Sequence, residues 1–188
     1  MLISQAWLIR TKRYSLHRII GKGSYLLVPV IVFSTVDLLK YRLSSLAALG
    51  PWDYFFVALV LNALIAFVVL YALAIFYRKK PGIHARYMLS TVFPMFTPVT
   101  DRIMGIYLAD LVPYLHLPTL EGEPILPVSG FLLADVIIIG LCIWDWRSQK
   151  RWNVFPVVLV ILLLYHYSVL NFYEYSLWQT FCSWFVNV

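Results

Sequence analysis

The chain is poor in charge. Only 13% of its 188 residues are Asp, Glu, Lys or Arg, where a soluble domain carries about 25%. Against that stand 62% hydrophobic residues, more apolar surface than one water-soluble core of this length can hide. A soluble globular class is excluded, and a lipid bilayer is the solvent that fits. Cysteine is scarce too: Cys142 and Cys182 form no CxxC or zinc spacing, which excludes a disulfide scaffold and the common zinc sites. The sequence holds no HExxH, GxSxG, Walker A loop or strand-linked GxGxxG, so no familiar hydrolase or nucleotide site is announced. Leu2 to Ile9 is apolar but short, with no basic residue before it and no small-residue cleavage site after it. It does not read as a cleavable signal.

What the chain has is long apolar runs. A spanning helix needs about 20 mostly apolar residues, and five stretches qualify: 23–41, 54–77, 87–113, 128–146 and 154–173. Their length and continuity exclude β-barrel strands. The expected fold is an all-α polytopic membrane bundle of about five transmembrane helices with short loops, forming one domain over 1–188. Residues 1–22 are expected as a cytoplasmic interfacial segment anchored by Trp7, and 175–188 as an aromatic tail in the outer interface.

The net charge of +6 is distributed as topology, not as a nucleic-acid face. Arg10, Lys12, Arg13, Arg18, Lys22, Arg78, Lys79, Lys80, Arg86, Arg147, Lys150 and Arg151 fall on one side of the predicted spans, and Lys40 and Arg42 on the other. Positive charge marks the cytoplasmic side of short loops. The N-terminus is therefore expected inside and the C-terminus outside, with the lipid bilayer as partner and no nucleic acid.

Ionisable side chains within a bilayer are costly and tend to face the bundle interior. Counting about 1.5 Å per residue from the span ends, Asp37, Asn62, Asp101, Arg102, Asp135 and His166 share a layer in the outer half. The third span adds Pro94 and Pro98, four apart. Each lacks an N–H and clashes with the preceding turn, so this span should kink or break. Arg102 is expected to pair with Asp101 or Asp135, as either a structural pair or part of a proton path or ligand cavity. On the cytoplasmic side, His17 and His84 open the first and third spans. They are candidate ligands for haem or a metal, with haem b as the cofactor considered. The alternative is that such His-Arg pairs bind lipid phosphates. No metal cluster or catalytic residue is assigned.

Three segments carry a likeness: Gln5-Ala6-Trp7-Leu8-Ile9, then Leu16-His17-Arg18-Ile19-Ile20-Gly21, then His84-Ala85-Arg86-Tyr87-Met88, followed by Pro98 and Arg102. With these His-Arg-x-x-Gly and His-x-Arg-x-Met motifs, the chain resembles a family of small, largely uncharacterised bacterial polytopic inner-membrane proteins. The resemblance extends to about Arg102. It implies a bacterial inner-membrane location and gives weight to His17 and His84, but implies no established activity. In that family the Gln-Ala-Trp-Leu segment closes a preceding transmembrane helix. Three functions follow, in this order: an accessory or assembly subunit of a membrane complex, a haem-binding or redox protein using His17 and His84, and a proton or small-solute carrier using the Asp101, Arg102, Asp135 and His166 layer.

Overall fold

A computed structural model describes residues 2–46, 48–150 and 153–187; Arg151 of the basic loop and Val188 of the tail lie outside the described residues. The fold is all-α, as expected. Four helical stretches are long and apolar enough to cross a membrane: Tyr14–Ser44, Pro51–Phe76, Pro127–Ser148 and Phe155–Phe172. The chain is a multi-pass membrane protein. It divides into two compact units, one up to Leu46 and the other after it.

The first unit holds α1 (Leu2–Arg10), α2 (Tyr14–Lys22) and α3 (Ser24–Ser44). α1 and α2 pack together, joined by a turn in which Lys12 takes the left-handed conformation at φ 59°. α2 runs into α3 because Gly23 keeps helical angles, φ −59° and ψ −24°. The helical run is therefore continuous from Tyr14 to Ser44, across the boundary expected at residue 22.

The second unit contains α4 (Pro51–Phe76), α5 (Pro81–Ser90), α6 (Thr97–Arg102), α7 (Pro127–Gln149), α8 (Phe155–Phe172) and α9 (Ser176–Asn187). Pro51 opens α4 where no N–H is needed, and the Gly50 N–H donates to Asp53 Oδ2 at 2.9 Å. α4 buries Phe55, Leu59, Ala63, Ala66, Leu70 and Ala74, a helical stripe rich in alanine. Lipid tails are as apolar as leucine, so helices in a membrane are held by close packing rather than by escape from water. Small residues let α4 approach α8 and α5, its main neighbours. α7 in turn packs on α8 and α6 through Phe131, Ala134, Ile138 and Cys142.

The predicted third span, 87–113, is not one helix. After α5 the chain passes through a 3-10 turn (Phe93–Met95), short α6, a π-helical turn (Ile103–Tyr107) and a 3-10 segment (Ala109–Leu115). Pro94 and Pro98 withhold donors from the carbonyls of Ser90 and Pro94, which interrupts the helix. Ser90 Oγ and Thr91 Oγ1 instead turn back on the carbonyls of Arg86 and Met88, at 2.8 and 2.7 Å. Beyond it, strands β1 (Thr119–Leu120) and β2 (Glu123–Pro124) form a small antiparallel hairpin. Its two-residue turn has positive φ at both Glu121 and Gly122, the twist that suits such short loops.

Candidate functional site

The polar layer forms only in part. Asp135 on α7 and His166 on α8 meet, with Asp135 Oδ2 3.2 Å from His166 Nδ1. Both side chains are largely covered, at 18% and 8% exposure. His166 lies flat on Phe131, with ring centroids 4.2 Å apart and planes 21° from parallel. Stacking and the carboxylate together fix the imidazole's orientation. Asp135 Oδ1 is buried and accepts no hydrogen bond from any described residue.

A second carboxylate stands close by in the same unit. Asp101, on the broken segment, also keeps a buried Oδ1 with no hydrogen-bond partner. It lies within electrostatic reach of the Tyr165 hydroxyl, which Thr97 borders. That hydroxyl is buried without a well-formed hydrogen bond, while the Tyr165 ring packs edge-on against Phe131 at 5.4 Å. Tyr165 and His166 are consecutive, and their rings are 5.1 Å apart. α8 thus presents a phenol toward Asp101 and an imidazole toward Asp135. Buried polar atoms are ordinarily satisfied. Two carboxylate oxygens without partners, one each from α6 and α7, lie in the same unit as this phenol on α8 and leave polar capacity uncommitted there.

α6 is brought against α7 by a glycine. A Cβ at Gly130 would collide with Thr100 Oγ1 and stand 3.2 Å from Thr97 Cα. Only a residue without a side chain lets the broken segment approach this closely.

The other predicted members go elsewhere. Asn62 Nδ2 donates to Ser168 Oγ at 2.8 Å, joining α4 to α8. Asp37 lies in the first unit, exposed on α3. Arg102 does not form the expected pair with Asp101 or Asp135. It is exposed, its guanidinium donates to the Pro98 carbonyl at 3.4 Å, and it acts on Asp101 only through space, without an ion-pair contact. The broken geometry around α6 turns Arg102 outward while Asp101, its neighbour in sequence, turns in.

The two histidines proposed as ligands fall in separate units, His17 on α2 and His84 on α5. The His84 ring donates from Nδ1 to the Ala74 carbonyl at 2.8 Å, a contact that ties α5 back to the end of α4. His17 Nδ1 is buried without a partner. Among the described residues, no three His, Cys, Asp or Glu side chains gather as a metal site would require.

One strong pair was not anticipated. Arg86 on α5 meets Asp145 on α7 at 2.8 Å, and both side chains are mostly buried. Its signal is in the sequence: Phe131, Ala134, Ile138, Cys142 and Asp145 fall on one helical stripe, so Asp145 continues the buried face. No family model, curated protein or solved structure matches this chain.

Proposed function

We propose that the protein is a carrier of protons or a small polar solute in a bacterial inner membrane, with its N-terminus cytoplasmic and its C-terminus external. The observation that carries this reading is the Asp135–His166 pair, set between two apolar spanning helices with one carboxylate oxygen still free to bind. A purely structural pair has reason to satisfy every buried atom, since an unsatisfied one costs about 1–3 kcal/mol. A transport site must leave capacity for its cargo. The interrupted segment supports the same reading, because non-helical backbone at membrane depth is tolerated where protein or a polar cavity surrounds it, and broken helices commonly frame carrier sites. The imidazole and carboxylate can exchange one proton between them while the net charge of the site changes by one unit on loading.

The carrier reading thereby moves ahead of the accessory-subunit and haem readings. The test is proton flux into proteoliposomes containing a trapped pH indicator, with an imposed pH gradient. Wild-type protein should carry flux above empty vesicles, and Asp135→Asn and His166→Gln should each reduce it at least about tenfold, the scale of losing a positioned acid–base group. Unchanged flux in both variants, or none in the wild type with either protons or candidate solutes, would sink the proposal.

A further inference from the structure

The helical hairpin at the N-terminus has a polar interior that the carrier reading does not use. α2 is strongly two-sided. Leu16, Ile19 and Ile20 lie on one face and are exposed, whereas His17 and Gly21, four residues apart, share the other. α1 lies against α2, and a Cβ on Gly21 would stand 3.9 Å from Gln5 Oε1. The Gln5 side chain is therefore turned toward this polar face. Gln5 is only 8% exposed, yet neither its amide nitrogen nor its amide oxygen has a hydrogen-bond partner. His17 Nδ1 is in the same condition. A primary amide offers two donors and an acceptor oxygen, and the imidazole Nδ1 donates or accepts by tautomer. Leaving them all unmade in a covered place is expensive.

The charge around these donors is positive. Arg18 follows His17 on α2, Lys22 ends that helix, and Arg10, Lys12 and Arg13 lie at the end of α1 and in the turn. The Arg13 guanidinium sits over the exposed Trp7 ring at 5.5 Å, which holds cationic and aromatic groups together as at a membrane surface. The cations on this hairpin favour an anion over a metal ion, which they would repel, and the Gln5 amide nitrogen and a protonated His17 Nδ1 are donors that a tetrahedral oxyanion could take.

We propose that the α1–α2 hairpin binds a phosphate group, with the Gln5 amide and His17 Nδ1 donating to its oxygens and Arg18 supplying charge. An anionic phospholipid headgroup and free phosphate share this chemistry. The inference does not depend on transport and survives if the carrier reading fails.

Native mass spectrometry of the full chain in a maltoside detergent tests it, with dioleoylphosphatidylglycerol, phosphate-free dioleoylglycerol and inorganic phosphate as probes. The wild type should retain one phosphatidylglycerol in preference to dioleoylglycerol. Gln5→Leu with His17→Leu should weaken that retention roughly tenfold or more, the scale of losing two hydrogen bonds to an anion. Displacement of the lipid by millimolar inorganic phosphate would assign the site to free phosphate, and no displacement would assign it to the headgroup. If the double variant elutes as aggregate, Gln5→Glu serves instead: nearly isosteric and anionic, it should repel the ligand. Equal retention in wild type and variants overturns the proposal, as does a wild type that neither prefers phosphatidylglycerol over dioleoylglycerol nor binds phosphate.

Discussion

Arg86 and Asp145 form a 2.8 Å ion pair that joins α5 to α7 with both side chains mostly out of solvent. α5 leads directly into the broken segment, and α7 carries Asp135 ten residues, or about 15 Å of helix, before Asp145. The pair therefore fixes the segment that bears Asp101 relative to the helix that bears Asp135. Arg86 also donates to the Gly82 carbonyl at 3.1 Å, so the guanidinium is held at both ends.

Removing one partner should cost more than removing both. Asp145→Leu takes the carboxylate from a mostly buried guanidinium and should destabilise the protein by up to about 3–5 kcal/mol. Adding Arg86→Leu should recover a large part of that loss, because no unpaired charge remains. Denaturant unfolding in mixed micelles measures all the variants. Additive losses would show that the two side chains do not depend on one another.

Gly130 gives a second, paired test. Gly→Ala inside a helix usually gains up to about 1 kcal/mol. At Gly140 an added Cβ meets nothing within 4 Å, so Gly140→Ala should be neutral or stabilising. At Gly130 the same change drives a methyl into Thr97 and Thr100 and should cost about 1–3 kcal/mol through overpacking. Equal melting temperatures for the two variants would mean that α6 moves away without penalty.

These contacts also mark how far the sequence can be read. The apolar runs locate four spans to within a few residues at most ends, because length and hydropathy are properties of the run itself. The first helix is the exception, since a glycine in ordinary helical angles does not announce whether it breaks or continues a helix. Pro94 and Pro98 foretell the interruption, but not that it continues through a π-helical turn to Tyr107. Depth counting groups Asp135 with His166, which do meet, yet it also groups Asn62 with them, and Asn62 bonds to Ser168 instead. Depth fixes a level and not an azimuth. Arg102 shows the same limit: adjacent residues on a helix point about 100° apart, and here Arg102 is exposed while Asp101 is half-buried. Asp145 is legible on these terms, because its place on the buried stripe of α7 outweighs its nearness to a basic loop.

Cys182 lies on α9, outside the spanning helices, and is fully buried. Burial pushes its thiol up to about 12, against an ordinary value of about 8.5. The thiolate is the reactive form, so maleimide at pH 8 should label Cys182 slowly in folded protein and fully after denaturation, in a Cys142→Ala background. The linkage has a definite sign. Its folded value is raised, so the unfolded chain releases this proton first. The stability is present below the unfolded value and is lost as pH rises from there toward 12. Cys182→Ala should flatten that part of the profile. Rapid labelling of the folded protein at pH 8 would contradict the burial.

Tyr165 separates a functional hydroxyl from a structural one. Its ring is 4% exposed and packed on Phe131 at 5.4 Å, and both features survive in Tyr165→Phe. The hydroxyl is buried with no well-formed hydrogen bond. Deleting a satisfied hydroxyl would cost about 0.5–1.5 kcal/mol, whereas deleting an unsatisfied one is neutral or favourable. Tyr165→Phe should therefore melt at or above the wild-type temperature. If the hydroxyl serves a cargo passing between Asp101 and the Asp135–His166 pair, flux in proteoliposomes should fall several-fold in this stable variant. That combination, stability kept and flux lost, is one that a packing role cannot produce. A variant that is destabilised by more than about 1 kcal/mol would show that the hydroxyl is already bonded within the fold. A variant that is equally stable with wild-type flux would remove Tyr165 from the path and leave Asp135 and His166 to act without it.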